Sequence, residues 1–361
     1  MSTALEPSVA IVGAAGACGR QLAVAMLERR MLPPEGRLQL IGHRGGASEH
    51  ELHGLRADLR DAFADHAPTI ELGYEPSELD ADIVVMLAGA TLSTDPHAPA
   101  DRVTLARTNR AVFATYADEL AGRSGASPLV LVQSNPVELG VEVFARTLDR
   151  HRVVGVGAHS DTMRFRRELA DSHGVDRSQV TALVLGQHGD HLVPLWSGID
   201  IDGLTADAQR AAIDTHRAGR SLLDLPTEIV EHRGQLLGLV ADGRVHEAFA
   251  HVAGLAPDLR AALKPFLVHF TAGHTTEIVT AHAVAEVLEI ALGDRTSVLA
   301  LQVLLAGEFH DLAGVTAVPV RFGAEGWTDP VDPGLAADEL DLLRLANRRI
   351  AEANAAALTG D

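Results

Sequence analysis

Asp161-Thr-Met-Arg164 places a carboxylate and a guanidinium three residues apart in a segment of helical spacing, hence on roughly one helix face. Gln187-His188-Gly189-Asp190 follows an apolar run and reads as an exposed turn whose imidazole can face a cleft. Asn135-Pro136 closes the run Leu129–Val132, and Arg102 opens the helical stretch after Asp82–Leu87. Each signal is weak alone, since a His-Gly turn is more often structural than catalytic. Together they contain what hydride transfer to a 2-keto acid needs. A histidine gives or takes the alcohol proton, a carboxylate orients it, one arginine grips the substrate carboxylate and a second polarises the carbonyl.

A second group of residues suits a dinucleotide. Gly13-Ala-Ala-Gly16-Ala-Cys-Gly19 directly follows the apolar run Val9–Val12 and opens a helix. Small residues there let the backbone turn tightly and approach a pyrophosphate on the positive end of that helix. Gly13, Ala15, Gly16, Ala17 and Cys18 are the expected contacts. The competing reading is a tight turn with close helix–strand packing, and Cys18 reads most simply as a packed small side chain. The end of the second strand normally carries an acid that accepts from the adenosine ribose. Here Leu38–Ile41 runs into Gly42-His43-Arg44-Gly45-Gly46, with no carboxylate at Gly42. Arg44 is placed to form a charge-assisted pair with a 2′-phosphate. The expected cofactor is therefore NAD or NADP, with NADP favoured; the alternative is a solvated Arg44 and loosely held NAD.

These groups need a framework, and the hydrophobic pattern supplies one. Short runs at Val9–Val12, Leu38–Ile41, Ile70–Leu72, Asp82–Leu87, Leu129–Val132 and Val153–Val156 are apolar nearly throughout, which suits a parallel sheet covered on both faces. They alternate with helical stretches such as Arg20–Arg30 and Asp101–Leu120, predicting a doubly wound α/β domain over residues 1–157. After Gly157 the pattern changes. A helix over Thr162–Ser172 leads to a strand at Val180–Leu185, and Ala- and Leu-rich helical stretches extend from Asp207 to Gly307. A further strand is expected near Thr316–Arg321 and a closing amphipathic helix over Leu335–Leu358. Residues 158–361 are thus expected to form an α+β domain carrying the substrate chemistry.

Composition excludes other classes. The 361 residues include a single cysteine, so neither an internal disulfide nor a multi-cysteine zinc site can form. Of 30 basic residues only Lys264 is a lysine, which rules out a P-loop and disfavours Schiff-base chemistry. A formal charge of −19 argues against nucleic acid or an acidic membrane as partner. No stretch approaches the roughly 20 apolar residues of a membrane span, and the N-terminus has no basic region before its apolar run, so a cytoplasmic location is expected. Eighteen histidines invite a metal, with His43, His50 and His53 or His188 and His191 as candidate groups. No HExxH or dense His/Asp cluster is present, and no metal is expected.

At this point the sequence resembles the malate/lactate dehydrogenases, and more closely their malate dehydrogenase-like branch. The resemblance runs over most of the chain. It is carried by the Gly-rich loop, Leu105-Ala-Arg-Thr-Asn109, Ser134-Asn-Pro-Val137, His159-Ser-Asp-Thr-Met-Arg-Phe165, Gly186-Gln-His-Gly-Asp190 with Val193-Pro194, Gly307-Glu-Phe309 and Val318-Pro-Val320. It implies a Rossmann domain followed by a mixed α/β catalytic domain, assembled as a homodimer or homotetramer. It implies His188 as proton donor and acceptor, Asp161 as its orienting acid, Arg164 as a two-pronged ligand of the substrate carboxylate and Arg102 as the group that polarises the carbonyl. Asn135 would contact substrate or nicotinamide, Asn109 belongs to a matched cofactor-side motif, and Thr276 matches a small hydroxyl residue near the substrate. A glycine with basic neighbours at Gly42, His43 and Arg44 resembles the NADP-using malate dehydrogenases.

The chain departs from the family in two places. Malate enzymes carry an arginine in the loop before Arg102 that reads the second carboxylate of the substrate. The corresponding segment, residues 90–101, has no arginine or lysine, and His97 is its only titratable cation. This weakens the case for malate and keeps a lactate-type or larger 2-hydroxy acid as the alternative, beside a non-catalytic cofactor-binding homologue. A distant NAD-dependent glycosidase would require a metal site. The second departure is extra length between about Thr227 and His269, read as an altered pocket wall or, slightly favoured, a helical hairpin used in assembly.

Overall fold

The computed structural model describes residues 7–95, 97, 102–125, 127–272 and 276–359, without the side chains of residues 102 and 103. Six short strands open the chain: β1 (Ser8–Val12), β2 (Arg37–Ile41), β3 (Thr69–Gly73), β4 (Ile83–Met86), β5 (Leu129–Val132) and β6 (Val153–Gly155). They lie in the order β3-β2-β1-β4-β5-β6, each pair parallel. β1, β4 and β5 are buried along their whole length, which explains their unbroken apolar sequences. The order reverses between β1 and β4, so a crevice opens at the carboxyl ends of these strands, where open α/β sheets bind ligands.

The intervening helices are α1 (Ala17–Glu28), α2 (Ala47–Ala62), α3 (Arg102–Ala121) and α4 (Val137–Ala145). α1 buries Leu22, Ala23, Met26 and Leu27, the apolar stripe that predicts it. α2 buries only Leu52, Leu55 and Leu59, a stripe at i, i+3 and i+7 that is narrow among charged and histidine neighbours and stands out little in the sequence. α5 (Gly157–His173) then starts five residues earlier than its pattern predicts and carries the Asp161/Arg164 pair.

Most later strands add to the same sheet, while two of them form a separate two-stranded one. β7 (Val180–Thr181) and β8 (Val184–Gly186) replace the single strand predicted over Val180–Leu185; β7 pairs instead with β10 (Asp200–Ile201), while β8 pairs with β9 (Leu192–Pro194). Helices α6 (Ala206–Arg217), α7 (Leu225–Ala241), α8 (Val245–Ala253), α9 (Pro257–Ala272) and α10 (Glu277–Leu292) follow. The expected helical region does not extend to Gly307. Ser297–Phe309 is a strand, β11, paired along its length with β12 (Leu312–Gly323). Its sequence SVLALQVLLAGEF is apolar almost throughout because the strand is central, and such a run carries neither the period of a strand nor that of a helix. β12 is also longer than the predicted 316–321 and pairs with β13 (Gly326–Pro330).

β11 pairs antiparallel with β6 through Gln302 and Gly155, so the parallel strands form one continuous sheet with β8, β9, β11, β12 and β13. α11 (Ala337–Thr359) closes the chain, burying Leu342, Leu343 and Ile350. Among the described residues no helix is long and apolar enough to cross a membrane.

Candidate active site

Gly13 sits at φ +88°, and a Cβ there would lie 2.7 Å from the main chain of Ala88 on the neighbouring strand end. Gly19 is equally constrained, since a Cβ would come within 2.6 Å of the Gly13 carbonyl. The two glycines therefore let the loop fold flat between β1 and α1. Gly16, at the start of α1, has no side-chain cap, and Gly16 and Ala17 are exposed. The first N–H groups of α1 are thus presented on an uncluttered surface of small residues, which fits a pyrophosphate. Ala15 directs its carbonyl away from that surface, accepting from Arg20 Nε at 2.8 Å. Cys18 packs toward α10, with Sγ 3.6 Å from the Glu277 carbonyl. Burial, reinforced by Glu277, pushes its thiol up to about 12, and a thiol so placed is inert.

Beyond β2, Gly42 is packed against Leu52 and Ser48 of α2, and a Cβ would meet Leu52 at 2.7 Å. The His43 N–H donates to Ser48 Oγ at 3.0 Å. Arg44 is not a free cation. Its Nε donates to Glu75 at 2.7 Å, a second nitrogen reaches Glu78 at 3.4 Å, and the guanidinium lies 5.8 Å from the centre of the Tyr74 ring. The side chain is 54% exposed, so these are solvent-screened surface pairs that a phosphate can displace.

Asn135, at the carboxyl end of β5, is exposed at the crevice and joined to Pro136 by a cis peptide. Asn109, from α3, is fully buried beneath it. Its amide donates to the carbonyls of Asn135 at 2.6 Å and Ala90 at 3.0 Å, and its oxygen accepts from Ala90 N–H at 2.7 Å. It braces the strand ends from behind rather than presenting its side chain to a ligand. Arg102 begins α3 as expected, and its side chain lies outside the described residues.

Four of the residues predicted to carry chemistry, His188, Asp161, Arg164 and Thr276, meet in one connected cluster. His188 Nδ1 lies 2.7 Å from Asp161 Oδ2, and Asp161 Oδ1 accepts from Arg164 at 2.9 Å. The other terminal nitrogen of Arg164 donates to Thr276 Oγ at 2.8 Å. Thr276 precedes α10, which places it beside α5 although it is 112 residues away in sequence. Gly157 provides room for the imidazole, because a Cβ there would lie 2.6 Å from His188 Cγ.

Electrostatics follow from burial and pairing. Burial opposes charge on Asp161, but His188 and Arg164 outweigh it and hold the carboxyl below the ordinary range. Burial likewise opposes charge on His188, and Asp161 overcomes this, leaving the imidazole above its usual value. Nδ1 is occupied by the carboxylate, so Nε2 is the nitrogen left to exchange a proton with a ligand.

Two participants escape the sequence reading. Glu138, in the first turn of α4, is 4% exposed and accepts from the His188 main-chain N–H at 2.6 Å. Gln302, on β11, is fully buried and donates to the same carboxyl oxygen at 3.2 Å. The only available signal is that Glu138 lies three residues beyond Asn135.

The segment over residues 227–269 reaches this site. Arg233 of α7 forms an ion pair with Asp190, two residues from His188. His269 of α9 contacts the Ser93 carbonyl in the loop before α3 at 3.0 Å. α9 is itself fixed to α5 by Arg260, whose Nε donates to the buried Glu168 at 2.7 Å. In the described part of that loop His97 is exposed, its N–H donating to Asp95 at 2.9 Å. Among the described residues no group of three or more histidine, cysteine or acidic side chains is placed to hold a metal.

Comparison with known proteins places this geometry in context. Residues 8–155 match the lactate/malate dehydrogenase NAD binding domain, and residues 159–222 match the lactate/malate dehydrogenase alpha/beta C-terminal domain. A malate dehydrogenase of Methanothermobacter thermautotrophicus is 26% identical over 95% of this chain and 94% of its own. An L-2-hydroxycarboxylate dehydrogenase (NAD(P)(+)) of Methanocaldococcus jannaschii is 25% identical over 93% and 94%. An L-lactate dehydrogenase of Bacillus caldotenax is 31% identical over 57% of this chain and 67% of its own. The crystal structure of a malate dehydrogenase from Plasmodium falciparum shares the fold, with a TM-score of 0.76, 18% identity and 98% of both chains covered.

Proposed function

Because the chain belongs to the lactate/malate dehydrogenase family, we propose that it is a nicotinamide-dependent oxidoreductase interconverting a small 2-hydroxy acid and its 2-keto acid, in the manner of malate dehydrogenase. The observation that carries this reading is the continuous chain His188–Asp161–Arg164–Thr276. Residues 1–157 hold the cofactor and residues 158–361 supply the chemistry of the acid. A nicotinamide cofactor held on the Gly13–Gly19 loop would supply the hydride for the keto carbon, or take it from the alcohol.

The protein's own groups do the rest. His188, protonated, donates from Nε2 to the carbonyl oxygen as it becomes an alcohol, and accepts that proton in the reverse direction. Asp161 holds the ring through Nδ1 and stabilises its charged form. Arg164 exchanges its Thr276 contact for the substrate carboxylate, which a guanidinium binds through two parallel bonds. Arg102 polarises the carbonyl, and Asn135 lines the crevice where cofactor and acid meet.

For the far end of the acid, the loop over residues 90–101 offers no arginine. The guanidinium that meets the catalytic turn instead is Arg233, on helix α7. We assign it to a distal carboxylate, which keeps malate and oxaloacetate as the substrate pair. The lactate-type alternative rests on the same missing loop arginine. Arg233→Ala separates them: it should lower kcat/KM on oxaloacetate by about tenfold or more while sparing pyruvate. Equal loss on both acids refutes the assignment.

NAD and NADP are both expected to serve, with NADP favoured by Arg44 and by the absence of an acid at Gly42. The protein is expected to act in the cytoplasm as a homodimer or homotetramer, and light scattering on the purified protein tests the assembly. The decisive experiment for the reaction class is a panel of 2-keto acids assayed by oxidation of NADH and NADPH. Turnover of at least one acid with either cofactor is the expected result.

A further inference from the structure

The turn that carries His188 is flanked by two glycines in conformations other residues rarely adopt, Gly186 at φ +80° and Gly189 at φ +145°. Such a turn has little intrinsic rigidity, yet the imidazole must meet Asp161 within a fraction of an ångström. The contact that holds the His188 main chain comes from the opposite side. Its N–H donates to Glu138 of α4, whose carboxyl is buried beside the turn.

We propose that Glu138 is a positioning residue for proton transfer: gripped by Gln302, its carboxyl fixes the main chain of His188 and thereby aligns the imidazole with Asp161. Three features support this. Glu138 is rooted in α4, whose start lies two residues after Asn135, so one rigid turn connects the crevice to the catalytic histidine. Gln302 is locked in turn, its Nε2 donating to Glu138 and its Oε1 accepting from the Ala158 N–H at 3.3 Å. Ala158 is the second residue of α5, the helix that presents Asp161. The network therefore ties both halves of the His–Asp pair, one through its turn and the other through its helix, to a single buried carboxyl.

A carboxyl buried this deeply is costly unless its oxygens are used. Burial pushes the acid up from its ordinary value, with the His188 N–H and Gln302 opposing that shift. The charged groups on neighbouring elements are His188 itself, with Asp161 and Arg164 beyond it on α5. On the α11 side, Asn354 donates to the Glu138 carbonyl at 3.3 Å and also bonds the Glu142 carboxyl. Glu138 thus acts as an acceptor for a main-chain donor, a role glutamine can fill and leucine cannot.

This assignment rests on His188 being the proton-transfer residue, so His188→Asn is measured alongside Glu138→Leu, Glu138→Gln and Gln302→Met. Each purified protein is assayed for keto-acid reduction from pH 5 to 9 at saturating cofactor, for cofactor Kd by fluorescence and for Tm. Glu138→Leu should lower kcat by about 10–10²-fold, as expected for a displaced catalytic group. KM and cofactor Kd should stay near wild type, and the alkaline limb of the pH profile should move to lower pH. Glu138→Gln should restore kcat, with that limb moved less than in Glu138→Leu because only the charge of the carboxyl is lost. If Glu138→Leu does not fold, Gln302→Met should show the same kcat-selective loss in milder form. Wild-type kcat and pH profile in a folded Glu138→Leu overturn the proposal, as does a Glu138→Gln enzyme as impaired as Glu138→Leu. If neither apolar variant folds, Glu138→Gln alone decides: recovery supports the acceptor role and loss refutes it. An active His188→Asn would instead overturn the underlying catalytic assignment.

Discussion

Replacing Asp161 with asparagine removes the charge that keeps His188 protonated while preserving size and a hydrogen-bond acceptor. The wild-type imidazole sits 2.7 Å from the carboxylate and is raised above its ordinary value against the opposing effect of burial. With the carboxylate gone, burial and the nearby Arg164 both disfavour the charged ring. Loss of an opposite charge at this distance lowers the imidazole pKa, so above the variant's own pKa the protonated fraction falls, by at most about tenfold per pKa unit lost. Initial rates of keto-acid reduction from pH 5 to 9 should show the alkaline limb displaced downward, with the deficit largest near pH 7–8 and shrinking toward pH 5. Stability should respond with its own signature. The depressed Asp161 contributes above its unfolded pKa and loses that contribution as pH falls through its folded value; the raised His188 contributes below its unfolded pKa and loses it as pH rises through its folded value. The stability deficit of Asp161→Asn is therefore greatest between about pH 4 and 6.5. A uniform rate loss with an unmoved pH profile would refute the reasoning, because Asp161 would then not govern the protonation of His188.

Other outcomes follow from the same geometry. Gly157→Ala should push the His188 ring out of line, since the added Cβ would lie 2.6 Å from Cγ. It should lower kcat and reduce stability by about 1–3 kcal/mol in chemical denaturation, with cofactor Kd unchanged. Arg44→Ala should reduce kcat/KM with NADPH by about tenfold or more and leave NADH kinetics intact; equal effects on both cofactors would show that Arg44 does not meet the 2′-phosphate.

Much of this arrangement is legible in the sequence, for identifiable reasons. The parallel strands announce themselves because burial on both faces leaves only apolar residues, as in DIVVML around β4. Asp161, Arg164 and His188 are visible because each sits at a marked local feature, a helix face or a glycine turn. β11 is hidden by its length: at thirteen residues, a largely apolar strand without clear alternation is as long as a helix. Losing β11 also loses Gln302, and with it Glu138, whose partners lie 50 and 164 residues away. The pairing of Arg44 with Glu75 and Glu78 is equally long-range, and no local pattern around Gly42 reports it. The helical composition of residues 227–269 is readable, but only the packed chain shows Arg233 arriving at Asp190.

The central claim is that His188 exchanges the proton during reduction of a 2-keto acid. The most direct measurement compares keto-acid-dependent oxidation of NADPH and NADH by the wild type and by His188→Asn, with cofactor binding followed by fluorescence. The wild type should turn over, and the variant should bind cofactor normally while losing about 10²–10⁴-fold in kcat. A His188→Asn enzyme that turns over within a few-fold of the wild type would contradict it.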